Sequence, residues 1–221
     1  MKISCFILFL VSFAYSQENT LINGVLTKYN TVKDYKVNAL INTDVPMIKM
    51  KEVEAVFYFM QKDQFKIKTE GIAVLPKQGI NDLMKFLSHK EKYMAVESEG
   101  GIINGNNTQM IILIPNDDNE DIVMCKLWIS KENKVIMKSQ TTTKSAGTVK
   151  VNYYYNAQYL KFGLPQKLVF EIEVKKFKMP KSVAANIHNS KGSSVNNGGK
   201  GTITVSLYDY VINKGEGKKG F

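Results

Sequence analysis

After about residue 33 the chain alternates. Val53, Ala55, Phe57 and Phe59 fall on one face of an extended segment, with Glu54, Val56, Tyr58 and Met60 on the other. Similar runs occupy Phe65–Lys68, Gly71–Leu75, Thr108–Ile114, Ile122–Ser130, Lys134–Thr143, Gly147–Asn156, Gln166–Lys178 and Gly201–Asn213. Strands recurring at about 8–14 residues, with Gly, Asn and Pro between them, predict an antiparallel, mainly β fold of roughly ten strands. Asp117–Asp121 and Lys131-Glu132-Asn133 read as hairpin turns. Two stretches follow the helical period instead. Asn19–Val32 sets Leu21, Val25, Leu26 and Tyr29 on one side, weakened by Gly24. Ile80–Lys90 offers Leu83, Met84, Phe86 and Leu87, with Asn81 or Asp82 as cap. The apolar faces of these two short helices need a surface to cover, and the concave side of a curved sheet supplies one.

The first residues read differently. Lys2 precedes the apolar run Ile3–Val11, and Ala14-Tyr15-Ser16 sets small residues at the −3 and −1 positions of a cleavage site. This is the pattern of a secretory signal peptide over residues 1–16, too short for a spanning helix. It predicts an exported protein, soluble and without a lipid anchor, whose single domain covers residues 17–213. Met179–Lys200 has no periodicity and is rich in Asn, Ser and Gly toward its end, so it reads as a flap or a disordered loop. Lys214–Phe221 reads as a flexible basic tail.

Composition narrows the chemistry. The 221 residues carry a net charge of +10, and every one of the 30 basic residues is Lys. A basic chain invites a nucleic-acid reading, but specific readout leans on the guanidinium fork that Lys lacks. The lysines also alternate along strands, as in Lys66-Ile67-Lys68, which marks a solvated sheet face. Nucleic acid is therefore not expected as a partner, and weak attraction to anionic membranes ranks above it. Cys125 is the only thiol after Ser16 and reads as buried and inert. His89 and His188 lack ligand spacing. Asp117–Asp121 lacks the Gly and Glu of a calcium loop, since Ile122 and Trp128 stand there. No metal, no cofactor and no enzymatic activity are predicted.

Several segments together resemble the outer-membrane lipoprotein carrier (LolA-like, lipoprotein-sorting) family in its Bacteroidetes-type form. They are the leader and the helix ending in Tyr29-Asn30-Thr31-Val32-Lys33-Asp34-Tyr35. Val56-Phe57-Tyr58-Phe59, Phe65–Gly71, Cys125–Ile129, Gly163-Leu164-Pro165 and Val205–Tyr210 complete the set. The resemblance implies an open antiparallel half-barrel of about 10–11 strands wrapped over a helical lid. It also implies an apolar cavity that shields lipoprotein acyl chains, or other lipids, from water. An inner-membrane transporter and an outer-membrane acceptor would be its partners, and the protein reads as a monomer. The family latches its lid with Arg. Here that latch must be missing or built from Lys.

On this reading the cavity and lid comprise Leu21, Val25, Tyr29, Phe57, Phe59, Leu83, Met84, Phe86, Leu87, Met124 and Trp128. Each also fits a simpler role. The Leu83–Leu87 helix packs on a sheet with or without a ligand, and Phe57, Phe59, Met124 and Trp128 suit an ordinary core. Tyr153-Tyr154-Tyr155 puts aromatics on both strand faces, so at least one lies outside or at a rim. A protein-interaction or envelope-stress sensor module on the same fold is the alternative function, and a secreted hydrolase is a third.

Overall fold

The computed structural model describes residues 19–45, 48–62, 64–71, 73, 75, 80–145, 147–173 and 200–221. The leader and the Asn-rich loop lie outside these residues, apart from Lys200.

Among the described residues eleven strands form one antiparallel sheet. They are β1 (Asp34–Val45), β2 (Ile48–Lys49), β3 (Val53–Met60), β4 (Gln64–Thr69), β5 (Tyr93–Ile103) and β6 (Asn106–Pro115). After these come β7 (Ile122–Ser130), β8 (Ile136–Thr143), β9 (Gly147–Tyr154), β10 (Lys167–Glu173) and β11 (Lys200–Ile212). The order is β4-β3-β1-β11-β10-β9-β8-β7-β6-β5, with β2 paired to β1 alone. β4 and β5 do not meet, so the sheet is an open half-barrel. Consecutive strands pair in most places, but β3 reaches past β2 to β1, β4 and β5 lie at opposite edges, and β11 inserts between β1 and β10, setting Tyr35 opposite Ile212.

Period-2 burial is clean where the sheet is covered on one side. β1 buries Val37, Ala39 and Ile41, β3 buries Ala55, Phe57 and Phe59, and β7 buries Cys125, Leu127 and Ile129. These inward residues join α1 (Thr20–Asn30) and α2 (Ile80–Ser88) in one core, except Phe59, which packs with Val32 and Leu164 in a second cluster. α1 starts where Asn19 Oδ1 accepts from the backbone N–H groups of Leu21 and Ile22, satisfying two orphan donors. Its Leu21, Ile22, Val25 and Leu26 form the buried stripe. Gly24 is a close approach rather than a weakness, because a Cβ there would lie 2.9 Å from Lys134 Cβ. α2 begins at Ile80, so Asn81 and Asp82, expected at its cap, lie in its first turn. Tyr93 Oη donates to Leu87 O at 2.9 Å and fixes its far end.

Three further differences have physical causes. β5 lacks an alternating signal because it is an edge strand exposed on both faces after Tyr93. Gly71, Ala73 and Leu75 carry no strand, and Ile72 and Val74 lie outside the described residues. The C-terminal residues, expected to be flexible, form a 3-10 turn at Glu216–Gly220 docked on β1 and β3. Gly217 N donates to Asp34 Oδ1 at 3.2 Å, and a Cβ on Gly217 would sit 2.1 Å from Phe59 O. A short helix, α3 (Ala157–Leu160), links β9 to β10 and is capped by Asn156.

Candidate functional site

A cavity of about 410 Å³ opens between the two helices and the sheet, within the roughly 300–1,000 Å³ range of small-molecule sites. β1 and β3 bring Tyr35, Val37, Phe57 and Phe59 to one wall, and β4 adds Phe65 and Ile67. β9, β10 and β11 form the other wall with Tyr153, Leu168, Phe170, Val205 and Leu207, joined by Tyr155 just past the end of β9. The helices contribute Val25, Tyr29, Leu83 and Met84, and the turn after α3 contributes Phe162–Pro165.

Aromatic rings dominate the end nearest α3. Phe59 packs against Tyr29 and Tyr35 with centroids 5.5 and 5.1 Å apart, and Tyr210 meets Tyr159 at 4.7 Å. The polar tips of three tyrosines are tied into the walls. Tyr155 Oη donates to Ile136 O at 2.8 Å, Tyr210 Oη donates to Pro165 O at 2.8 Å, and Tyr153 Oη bonds Ser139 Oγ at 3.0 Å. Burial holds all three phenols well above their usual range. Their rings therefore act as apolar surface.

Two charged residues line the cavity, Asp82 and Lys134. Partial desolvation raises the Asp82 carboxyl, against an opposing pull from Lys85. No Ser, Cys or His is among the described lining residues. Cys125 is fully buried elsewhere, with Sγ 3.4 Å from Thr141 Oγ1, and burial pushes its thiol up to about 12. The Asp117–Asp121 acids serve a turn: Asp117 Oδ1 accepts from Asn119 N, and Asp121 Oδ1 accepts from Ser145 N. His89 is half-buried beside Glu91, and His188 lies outside the described residues. Among the described residues no cluster could hold a metal ion, and no helix is long and apolar enough to cross a membrane. The described lining is thus mainly apolar and aromatic, with Asp82 and Lys134 as its charged members.

Of the expected site residues, Val25, Tyr29, Phe57, Phe59, Leu83 and Met84 line the cavity. Leu21, Phe86 and Leu87 are buried behind it in the core. Met124 and Trp128 do not reach it. Cys125, Leu127 and Ile129 hold the inward positions of β7, so Met124 and Trp128 point outward, where Lys138 Nζ lies 5.1 Å from the Trp128 ring. The opposite wall had a usable signal in the alternating pairs Leu168/Phe170 and Val205/Leu207. Tyr154 is the outward member of its triplet, with Lys167 Nζ 4.2 Å from its ring.

A lysine ties the helix to the rim. Lys28 Nζ donates to Leu160 O at 2.9 Å, and burial lowers its ammonium below the usual range.

No protein-family model matches the chain, and no curated protein matches it. Solved structures do. It is similar to a putative outer membrane lipoprotein-sorting protein domain from Vibrio parahaemolyticus, with 9% identity and a TM-score of 0.60 over 91% of this chain and 94% of that one. It is also similar to a LolA superfamily protein from Nitrosomonas europaea, with 11% identity and a TM-score of 0.57 over 90% of this chain and 97% of that one. At these identities the likeness is one of fold: the chain folds as the LolA-type half-barrel does.

Proposed function

We propose that the protein is a non-enzymatic periplasmic carrier, exported by its N-terminal segment, that shelters acyl chains of a lipoprotein or other lipid beneath α1 and α2. The observation that carries this reading is the apolar, aromatic-rich cavity of about 410 Å³ between helices and sheet. An acyl chain loses about 0.8 kcal/mol for each methylene left in water, so roughly a dozen buried methylenes offset about 10 kcal/mol. That is enough to make passage through an aqueous space feasible only inside such a cavity. Lid motion of α1 and α2 admits and releases the cargo. In this reading the Lys28–Leu160 tie, from α1 to α3, serves as a latch built from Lys. The shared half-barrel of the lipoprotein-sorting domain supports the same reading.

The test is uptake of a fluorescent fatty-acyl probe by delipidated protein. Saturable, roughly one-to-one binding is expected. Val25→Phe, which pushes bulk from α1 into the cavity, should weaken it about tenfold or more while the fold is retained. A delipidated protein that takes up no probe overturns the proposal.

A further inference from the structure

The outward face of β5, β6 and β7 is apolar although nothing in the sheet requires it. Met94 of β5 stands opposite Ile114 of β6, and Val96 opposite Ile112. Met110 pairs with Trp128 of β7, and the Leu113–Cys125 pairing carries Met124 to the side of Ile114. Met94, Val96 and Ile114 are 58%, 43% and 42% exposed, and Val123 at the bulge beside Met124 is 47% exposed. Large apolar side chains scattered singly mean little, but a contiguous patch marks an interaction surface. This face is the opposite one from the cavity, so cargo binding does not explain it.

Its charge selects the occupant. Among the outward positions of β5 to β8, the only charged side chains are Lys126, beside Ile112, and Lys138, over the Trp128 ring. Lys150 and Lys167 extend the basic stripe across β9 and β10, interrupted by Glu171. A second copy laid face to face would press lysine against lysine in a chain of net charge +10. An anionic bilayer reverses that sign, and it accepts Met, Ile, Val and Trp at the headgroup boundary while the lysines stay in the headgroup layer. We infer that this convex β5–β7 face docks the protein on anionic phospholipid membranes. The inference goes beyond the carrier reading and stands without it.

Trp128 is the protein's only tryptophan, so its emission reports on this face and not on the cavity. The experiment adds vesicles of phosphatidylcholine with about one third phosphatidylglycerol to the purified full chain, and reads Trp128 emission and co-sedimentation. A blue shift and bound protein are expected, both fading as salt rises. Lys126→Gln and Lys138→Gln should each lower vesicle affinity roughly five-fold. Met94→Gln with Ile114→Gln should lower it at least tenfold. These positions are exposed or half-exposed, so unchanged thermal melting certifies the variants. Absence of binding to anionic vesicles overturns the inference, and so does equal binding to pure phosphatidylcholine or undiminished binding by the variants. A lipid-free dimer that shifts Trp128 emission overturns it in favour of a second copy.

Discussion

Cys125 shows how far a single side chain's chemistry is set by its place in the sheet. It is on the inward side of β7, fully buried, and its thiol is held up at about 12 by desolvation. The folded state therefore keeps the proton where the unfolded chain would lose it. The sign follows: this contribution is complete below about pH 9 and is lost as pH rises toward 12. Wild-type protein should lose more stability between about pH 8 and pH 10.5 than Cys125→Ala does, read as denaturant midpoints at both values. The native thiol should also resist alkylation until the chain unfolds. Lys28 makes the opposite case, a charged group whose hydrogen bond spans two elements. Lys28→Met keeps the stem and removes the donor to Leu160 O. A loss of about 1 kcal/mol in unfolding free energy is expected, with faster release of a bound acyl probe. The buried thiol was legible from the alternation around it. The partner of Lys28 was not, because Leu160 is 132 residues away and no local pattern encodes that meeting.

At the level of elements, legibility tracked one-sided burial. α1, β3 and β7 each carry one apolar face against the core, and their periods predicted their bounds to within a few residues. β5 was invisible to the same logic because both of its faces meet solvent along most of its length. The turn that follows it held a separate signal. Asn104 and Gly105, at φ of +47° and +75°, make the two-residue link that sets Ile103 opposite Asn106, the conformation in which Asn-Gly is favoured. Assigning a face is harder than finding a strand. Period-2 patterns say which residues travel together but not which set faces inward, and in β7 both sets are apolar. For that reason alternation alone admits Met124 and Trp128 to the cavity, whereas Cys125, Leu127 and Ile129 are the buried set. Gly24 was legible as a poor helix former but not as a contact point. Gly24→Val would drive branched carbons into Lys134. It should destabilise the protein by about 1–3 kcal/mol by lifting α1, although a solvent-exposed glycine in a helix would gain from the same change. Thermal unfolding of the variant decides between these outcomes.

For the molecule as a whole, the half-barrel gives one chain two unlike faces, a concave one roofed by α1 and α2 and a convex one open to its surroundings. Which strands neighbour each other was not legible from alternation, because pairing β11 with β1 depends on contacts across almost the entire sequence. That pairing carries a consequence for time rather than for shape. β1 is central in the sheet, yet one of its two long neighbours is the last strand to be made. Gly217 then closes on Asp34 from 183 residues away. A chain emerging N-terminus first holds β1 with one side unpaired until nearly its last residues arrive, and loop closure of that length is slow. A chain ending at residue 199 should remain open to limited proteolysis along β1, whereas the full chain resists. Synthesis would thus be all but finished before folding could begin in earnest, and that interval is when the chain would most need a holdase.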